Sequence, residues 1–123
     1  MDASNAEQHC LLGVEEATNW RLSKAISIWE AALLLWPNDE KLQRRLDFAR
    51  KEYSWLLEDI VNLKKQISES GESPELRYEL ARLHYFVGEY GEARKEWTRV
   101  TEIDPDTWGK SAAKMLSKKF INL

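Results

Sequence analysis

Residues 74–107 have the sequence PELRYELARLHYFVGEYGEARKEWTRVTEIDPDT, which predicts two helices joined by a turn. The run Gly88-Glu89-Tyr90-Gly91 is typical of that turn and separates two segments of helical composition. Pro105 ends the second segment, because the residue before a proline avoids helical backbone geometry. Aligning Pro37 with Pro105 places this stretch on residues 6–39. The other matched pairs are Leu12 with Leu80, Ala25 with Ala93, and Trp29 with Trp97.

The two stretches are offset by twice the length of a tetratricopeptide repeat, a helix–turn–helix unit of about 34 residues, and the chain resembles that family. The family has a leucine and a small residue in its first helix, an alanine four residues before an aromatic in its second, and a closing proline. Residues 74–107 match through Leu80-Ala81, Ala93, Trp97 and Pro105, and residues 6–39 match through Leu12-Gly13, Ala25, Trp29, Ala32 and Pro37. The chain departs from the pattern where the family often has Trp or Tyr, at His9, Glu16, Arg77 and His84. The resemblance implies an all-α, tetratricopeptide-repeat-like helical-hairpin solenoid, with residues 1–123 forming a single domain.

The segment 40–73 has the length of a further repeat but lacks its pattern. Asp47 and Asp59 stand at the two small-residue positions, and no glycine or proline occurs between Pro37 and Gly71. Apolar residues instead recur at alternating steps of three and four, as in a heptad seam. The seam consists of Leu46, Ala49, Tyr53, Leu56, Ile60, Leu63 and Ile67. Two interpretations remain open, a degenerate helix pair that breaks near Tyr53–Trp55 or one long helix, and the seam slightly favours the long helix.

Local signals agree with helices on both sides of this segment. Asn38 or Asp39 is expected to cap a helix that begins near Glu40, and Ser73 precedes a proline suited to the first helical position. The segment 108–120 is predicted to be a C-terminal capping helix. Its apolar stripe is Trp108, Ala112, Met115 and Leu116, and its polar face carries Lys110, Lys114 and Lys118. A polar outer face is what a terminal repeat needs.

Composition restricts the function classes. The chain has 123 residues, a net charge of −3 and one cysteine, Cys10. The acidic balance and the lack of a continuous basic stripe argue against nucleic-acid binding, and no apolar run is long enough to span a membrane. A single cysteine excludes an internal disulfide, and we expect a cytoplasmic protein. The sequence contains no phosphate-binding glycine loop, nucleophile elbow or H-E-x-x-H motif, so we expect no enzyme, cofactor or metal.

A protein-interaction surface is the function that remains. In the family that the chain resembles, the first helix of each repeat lines a concave groove that receives peptides or partner helices. Carried over to this sequence, the first row of groove positions is Glu7, Cys10, Leu11, Val14, Ala17 and Thr18. The second and third rows supply the predicted partner-binding residues Lys41, Arg44, Arg45, Phe48, Tyr78, Arg82, Tyr85 and Phe86. Arginine and aromatic side chains are enriched at interface centres, and arginine holds carboxylates with two hydrogen bonds. We therefore expect an adaptor or scaffold that binds a peptide or helix with acidic and hydrophobic residues.

The same sequence argues against one known use of such a groove and leaves one alternative function. Family members that hold the C-terminal carboxylate of heat-shock chaperones use Lys and Asn in the first row. Cys10 and Val14 stand at those positions, so the carboxylate clamp is not expected here. The alternative function is a self-associating assembly protein, a homo-oligomer held through its tryptophan-rich faces and the central heptad.

Overall fold

The computed structural model describes residues 3–118, and these form helices without a β-strand. The six helices are α1 (Ala3–Thr18), α2 (Leu22–Leu35), α3 (Glu40–Ser70), α4 (Pro74–Phe86), α5 (Tyr90–Ile103) and α6 (Trp108–Leu116). The all-α prediction is therefore confirmed. The described chain divides into two compact units. One holds the residues up to Leu56 together with Phe86–Gly88, and the other holds Leu57–Tyr85 and the residues from Glu89 onward.

Side-chain caps fix the start of three helices. The Leu42 amide donates to Asp39 Oδ1 over 3.0 Å at the start of α3, and the Leu76 amide donates to Ser73 Oγ over 3.3 Å at the start of α4. Asp104 accepts from the amides of residues 107 and 108 and so begins α6. Each cap satisfies amides that have no partner inside the helix. Of the two caps considered for α3, Asp39 is the one used, and the cap at Ser73 is confirmed.

The central segment is one uninterrupted α-helix, α3. Asp47 and Asp59, at the positions where a repeat needs small residues, are both exposed along this helix. The absence of glycine and proline from its interior lets the hydrogen-bonded ladder run through. The heptad residues line its buried side. Leu46, Ala49 and Ile60 are buried, and Tyr53, Leu56, Leu63 and Ile67 are partly buried.

The turns α1–α2 and α4–α5 have the same backbone geometry at positions that the sequence repeat makes equivalent. Trp20 has φ 66° and Gly88 has φ 93°, which places both in the left-handed region. The Arg21 amide then donates to the Glu16 carbonyl over 2.9 Å, and the Glu89 amide donates to the His84 carbonyl over 2.8 Å. Both following helices have 14 residues. The sequence repeat is therefore also a repeat of backbone conformation.

A pair of polar side chains closes each of these turns. Arg21 Nε lies 2.5 Å from Glu16 Oε2, and His84 Nδ1 lies 3.2 Å from Glu89 Oε1. The two pairs occupy equivalent positions with the acidic and basic members exchanged. The chain thus keeps the cross-turn contact while its residue types change.

In the first unit, the core lies between α1, α2 and the N-terminal half of α3. Trp29 is buried against α1, where its Nε1 donates to the Cys10 carbonyl over 3.1 Å. This approach depends on Gly13, because a Cβ there would lie 2.2 Å from Trp29 Nε1. Ala25, the small residue of α2 in the repeat pattern, is completely buried. A small residue and a glycine therefore allow the close helix packing that the pattern predicts.

In the second unit, Ala93 and Trp97 of α5 occupy the equivalent places and are completely buried. Tyr85 packs against Trp97 with the rings tilted by 46° and their centroids 6.0 Å apart. His84 is buried as well, as expected for a packing position. The helix α6 packs through Ala112 and Met115. Its lysines Lys110 and Lys114 are exposed as predicted, and so is Lys118 two residues beyond its end. α6 ends at Leu116, so the predicted helix to residue 120 is too long, and residues beyond 118 lie outside the described range.

Candidate functional site

A cleft in the first unit has a volume of about 500 Å³. The C-terminal part of α1 forms one wall, the N-terminal half of α3 forms the other, and α2 contributes to the floor. The lining residues are Val14, Ala17, Thr18, Leu22, Trp29, Lys41, Arg44, Arg45, Phe48, Ala49 and Glu52. Its size lies within the roughly 300–1,000 Å³ range of ligand-binding clefts.

The α3 wall of this cleft carries three cations, Lys41, Arg44 and Arg45. All three are exposed, and none makes an ion pair with another residue in the range 3–118. Arginines elsewhere behave differently. Those at positions 21, 50, 77, 82 and 99 each pair with a glutamate. The cleft therefore carries three cations without an ionic partner in the described chain, together with one carboxylate, that of Glu52.

The floor and one rim of the cleft are apolar. Leu22, Trp29 and Ala49 are buried at its base, and Val14 is partly buried above them. Phe48 stands on the rim with 63% of its surface exposed. An exposed phenylalanine beside an apolar floor offers area that a partner side chain can cover. The cations beside it can hold carboxylates, bidentately in the case of the two arginines.

The structure places residues of the second predicted row and part of the first predicted row in the same cleft. Lys41, Arg44, Arg45 and Phe48 all line the cleft, as do the first-row positions Val14, Ala17 and Thr18. Cys10, by contrast, is buried in the core of the first unit and is not on the cleft surface. It carries a free thiol. The basic second row is thus the part of the prediction that a defined cleft supports.

The predicted third row does not line this cleft. Tyr85 is only 1% exposed, so its assignment as a partner-binding residue was wrong. Its ring packs against Tyr90 and Trp97, because position 85 lies on the side of α4 that faces α5. Phe86 is partly buried against the core of the first unit.

Tyr78 and Arg82 are partly buried on α4 of the second unit. The Tyr78 ring lies 6.2 Å from that of Trp97 and 5.5 Å from that of Trp108. Burial raises the pKa of Tyr78 above its usual 10.0. Arg82 pairs with Glu79 on its own helix. Both residues therefore have structural contacts, unlike the cations of the cleft.

A network of ion pairs surrounds the start of α4 in the second unit. Arg77 Nη1 lies 2.7 Å from Glu96 Oε2, and Arg99 Nη2 lies 3.2 Å from Glu72 Oε2. Arg77 also pairs with Glu72. The hydrogen bonds from Arg77 and Arg99 hold the pKa of Glu72 below its usual 4.5. This network ties α4 to α5, and its charges are already matched.

A smaller cleft of the first unit, about 310 Å³, is lined by Ser23, Ile26, Glu30, Arg50 and Tyr53. Its one cation, Arg50, lies 3.6 Å from Glu30 across the cleft. The charge in this smaller cleft is therefore satisfied internally. It therefore offers a charged partner fewer unpaired groups than the larger cleft does.

Sequence reasoning missed the aromatic continuation of the α3 wall. Trp55 is 55% exposed and lies two turns beyond Phe48 on the same side of the helix. A spacing of seven residues between two aromatics could have revealed it. The heptad of buried residues drew attention to the opposite side of α3.

Across residues 3–118, no helix is both long and apolar enough to cross a membrane. The same residues contain no group of three or more His, Cys, Asp or Glu side chains that could hold a metal ion. Comparisons with family models, with curated proteins and with solved structures found no match.

Proposed function

We propose that the protein is a non-catalytic interaction module, an adaptor or scaffold, whose α1–α3 cleft binds a peptide or helix that carries acidic and hydrophobic residues. One observation carries the proposal. Lys41, Arg44 and Arg45 have no ionic partner within residues 3–118, and they stand beside the exposed Phe48 on an apolar cleft. Unpaired cations beside exposed apolar surface suit a ligand with carboxylates next to bulky apolar side chains.

The chemistry assigns a role to each group. Arg44 and Arg45 would hold carboxylates through paired N–H donors, and Lys41 would add a third positive charge. Phe48 and Val14, above the floor that includes Ala49, would cover an apolar side chain. Burial of that side chain contributes to affinity, and the charges fix the position of the acidic residues.

The proposal includes a tetratricopeptide-repeat-like architecture for the whole chain. Supporting it are the offset of two repeat lengths, the equivalent left-handed residues Trp20 and Gly88, and the equivalent buried tryptophans 29 and 97. The resemblance also implies that first helices line the groove, and α1 and α3 do line the cleft. The single buried cysteine fits a reducing compartment, and a cytoplasmic location is part of the proposal.

A peptide array tests the binding specificity directly, because it presents many candidate sequences at once. Labelled wild-type protein should retain sequences that combine Asp or Glu with Leu, Ile or Phe. The Arg44→Glu/Arg45→Glu variant should lose these sequences. A matched control is Lys64→Glu/Lys65→Glu, which makes the same charge change at exposed positions of α3 outside the cleft. The control should keep the wild-type pattern.

The best peptide from the array then tests the apolar contact. Phe48→Ala should weaken its binding by about 10–100-fold, because a buried aromatic contributes roughly 1.5–3 kcal/mol. Affinity would be measured by fluorescence polarisation. If wild type and Arg44→Glu/Arg45→Glu retain the same peptides, the binding site is not this cleft.

A further inference from the structure

The charges that line the α1–α3 cleft stand on one helix. Among the described residues, the α1 wall contributes only Val14, Ala17 and Thr18, and the floor is apolar. The charged lining residues are Lys41, Arg44, Arg45 and Glu52. All four belong to the continuous helix α3 and lie within the first unit. Helix geometry therefore fixes the spacing of the charges along the cleft.

Glu52 is the one carboxylate among the described residues that line the cleft. It is partly buried, and it makes no ion pair with another residue in the range 3–118. Three other glutamates, at positions 79, 92 and 102, each pair with a basic residue three positions away on their own helix. The residues three and four positions from Glu52 are alanine, phenylalanine, tryptophan and leucine, so α3 offers it no such cation. A partly buried carboxylate of this kind suits a basic group that a ligand brings.

The α3 wall presents its groups in a fixed order. The cations at positions 41, 44 and 45 come first, Phe48 follows, and Glu52 comes last. With a rise of about 1.5 Å per residue, Phe48 lies about 4.5–6 Å from the two arginines and about 6 Å from Glu52 along the axis. At about 100° per residue, all five positions fall within an arc of about 100° on one side of the helix. The wall is thus a row of positive, aromatic and negative groups.

Alternate residues of an extended peptide match the spacing of this row. Successive residues of such a peptide are about 3.3 Å apart, so side chains on one face recur about every 6.6 Å. Side chains at positions i, i+2 and i+4 would reach the arginines, Phe48 and Glu52 in turn. They span about 13 Å, and Arg44 and Glu52 lie about 12 Å apart along the axis of α3.

The size of the cleft favours an extended segment over a helix. A helix is at least about 10 Å wide, so a length of about 12 Å displaces roughly 900 Å³. The cleft has a volume of only about 500 Å³. An extended segment turns alternate side chains away from the cleft and therefore inserts less volume.

We propose that the cleft selects an extended segment of a partner protein in which an apolar residue has an acidic residue two positions to one side and a basic residue two positions to the other. Arg44 and Arg45 would hold the carboxylate, and Phe48 would cover the apolar side chain. Glu52 would accept hydrogen bonds from the basic group. The cleft fixes the order of these side chains in space, and both chain directions satisfy it. This inference rests on the proposed function and narrows its class of ligand.

Charge complementarity selects this segment over a wholly acidic one. A carboxylate at the third position would face Glu52, and like charges that meet across an interface are unfavourable. A neutral third residue would leave Glu52 without a partner. A basic third residue pairs with Glu52 while the acidic first residue still meets the arginines. Glu52 is therefore a specificity-determining residue of the cleft.

A small set of labelled peptides tests the third position. Each has the core Asp-Ala-Leu-Ala-X between flanking Gly-Ser pairs, where X is Lys, Gln or Glu, and each is also made with its core reversed. Binding to the full chain would be measured by fluorescence polarisation. In at least one chain direction, wild type should bind the Lys peptide at least ~10-fold more tightly than the Glu peptide. The Gln peptide should lie between them.

Reversing the charge at position 52 should invert this order. Glu52→Lys should bind the Glu peptide at least ~10-fold more tightly than the Lys peptide. Glu52→Gln keeps the shape of the side chain, and it should bind all three peptides within about threefold of one another. Glu58→Lys is the matched control, because it makes the same charge change at an exposed position of α3 outside the cleft. It should keep the wild-type order. Circular dichroism spectra that match wild type would establish that the variants are folded.

The outcomes separate this inference from the proposed function. Equal binding of the three peptides by wild type would overturn the inference, and so would an order that Glu52→Lys leaves unchanged. Tighter binding of a peptide with helical spacing, Asp-Ala-Ala-Ala-Leu-Ala-Ala-Ala-Lys, would also overturn it. In each case the proposed function stands if Arg44→Glu/Arg45→Glu loses the acidic peptides of the array. If wild type retains array peptides but binds no peptide of this set, the inference alone is wrong. If wild type binds neither set, both proposals are refuted.

Discussion

Replacing Gly13 by alanine should destabilise the first unit, although alanine is the better helix former. The added Cβ would lie 2.2 Å from Trp29 Nε1 and 2.4 Å from its Cε2, so the indole must move. Overpacking of this kind costs about 1–3 kcal/mol. Moving the indole also breaks its hydrogen bond to the Cys10 carbonyl and leaves a buried donor unpaired, which costs about 1–3 kcal/mol more. The higher helix propensity of alanine offsets about 1 kcal/mol of this loss. The net loss of unfolding free energy is therefore about 1–5 kcal/mol.

Urea unfolding followed by tryptophan fluorescence measures this loss. With a slope of about 2 kcal/mol per molar urea, the midpoint should fall by roughly 0.5–2.5 M. Gly91→Ala is the matched control, because its Cβ would meet nothing within 4 Å on the exposed side of α5. It should leave stability unchanged or raise it by up to about 1 kcal/mol. If Gly13→Ala proved as stable as the control, the close approach of Trp29 to α1 would be wrong.

Three further changes probe the fold and its charges. Ala93→Leu should cost about 1–3 kcal/mol by overpacking a completely buried position, and an unchanged melting curve would contradict the packing of α5. Inserting Gly-Pro after Tyr53 should cost about 3 kcal/mol or more because it interrupts the continuous α3, whereas a tolerated insertion would show a break there. The pKa of Glu72 is lowered by its bonds from Arg77 and Arg99. Its stabilisation is therefore present above about pH 4.5 and is lost as the pH falls through the lower folded value. Glu72→Gln should accordingly flatten the acid side of the stability–pH curve, and an equally steep curve in the variant would remove Glu72 as its source.

The helices and turns were predictable from the sequence because their signals are local. The prolines and the caps Asp39 and Ser73 act within a few residues of where they stand. The sequence left undecided whether the central segment is one helix or two only because the repeat period suggested a break. No glycine or proline provides such a break. Local chemistry decided that question in favour of the continuous helix.

Side-chain exposure was less predictable than helix position. Leu12 and Leu80 are equivalent in the repeat, but Leu12 is 48% exposed and Leu80 is 2% exposed. Tyr85 was assigned to a groove by the family pattern and is buried instead. Exposure depends on what packs against a face, and a one-dimensional pattern does not contain that information. The basic residues of the cleft came from the same family pattern, and they are exposed because long charged side chains are seldom buried.

The sequence also could not show which charged residues form ion pairs. Eight arginines look alike in one dimension, and only the structure shows that those at positions 44 and 45 lack a carboxylate partner within residues 3–118 while five others have one. The cross-turn pairs Glu16–Arg21 and His84–Glu89 went unnoticed for a related reason. Their residue types are exchanged between the repeats, so a search for identical residues passes over them.

The most direct test of the cleft is a charge exchange between protein and ligand. The acidic peptide selected by the wild type would be titrated, by fluorescence polarisation, against wild type and against Arg44→Glu/Arg45→Glu, together with a copy of the peptide in which lysine replaces each acidic residue. We predict that the variant binds the acidic peptide at least ~100-fold more weakly than wild type does. It should bind the lysine peptide with an affinity within about tenfold of that of wild type for the acidic peptide. Equal binding of the acidic peptide by wild type and variant would contradict the claim that these arginines form the binding site.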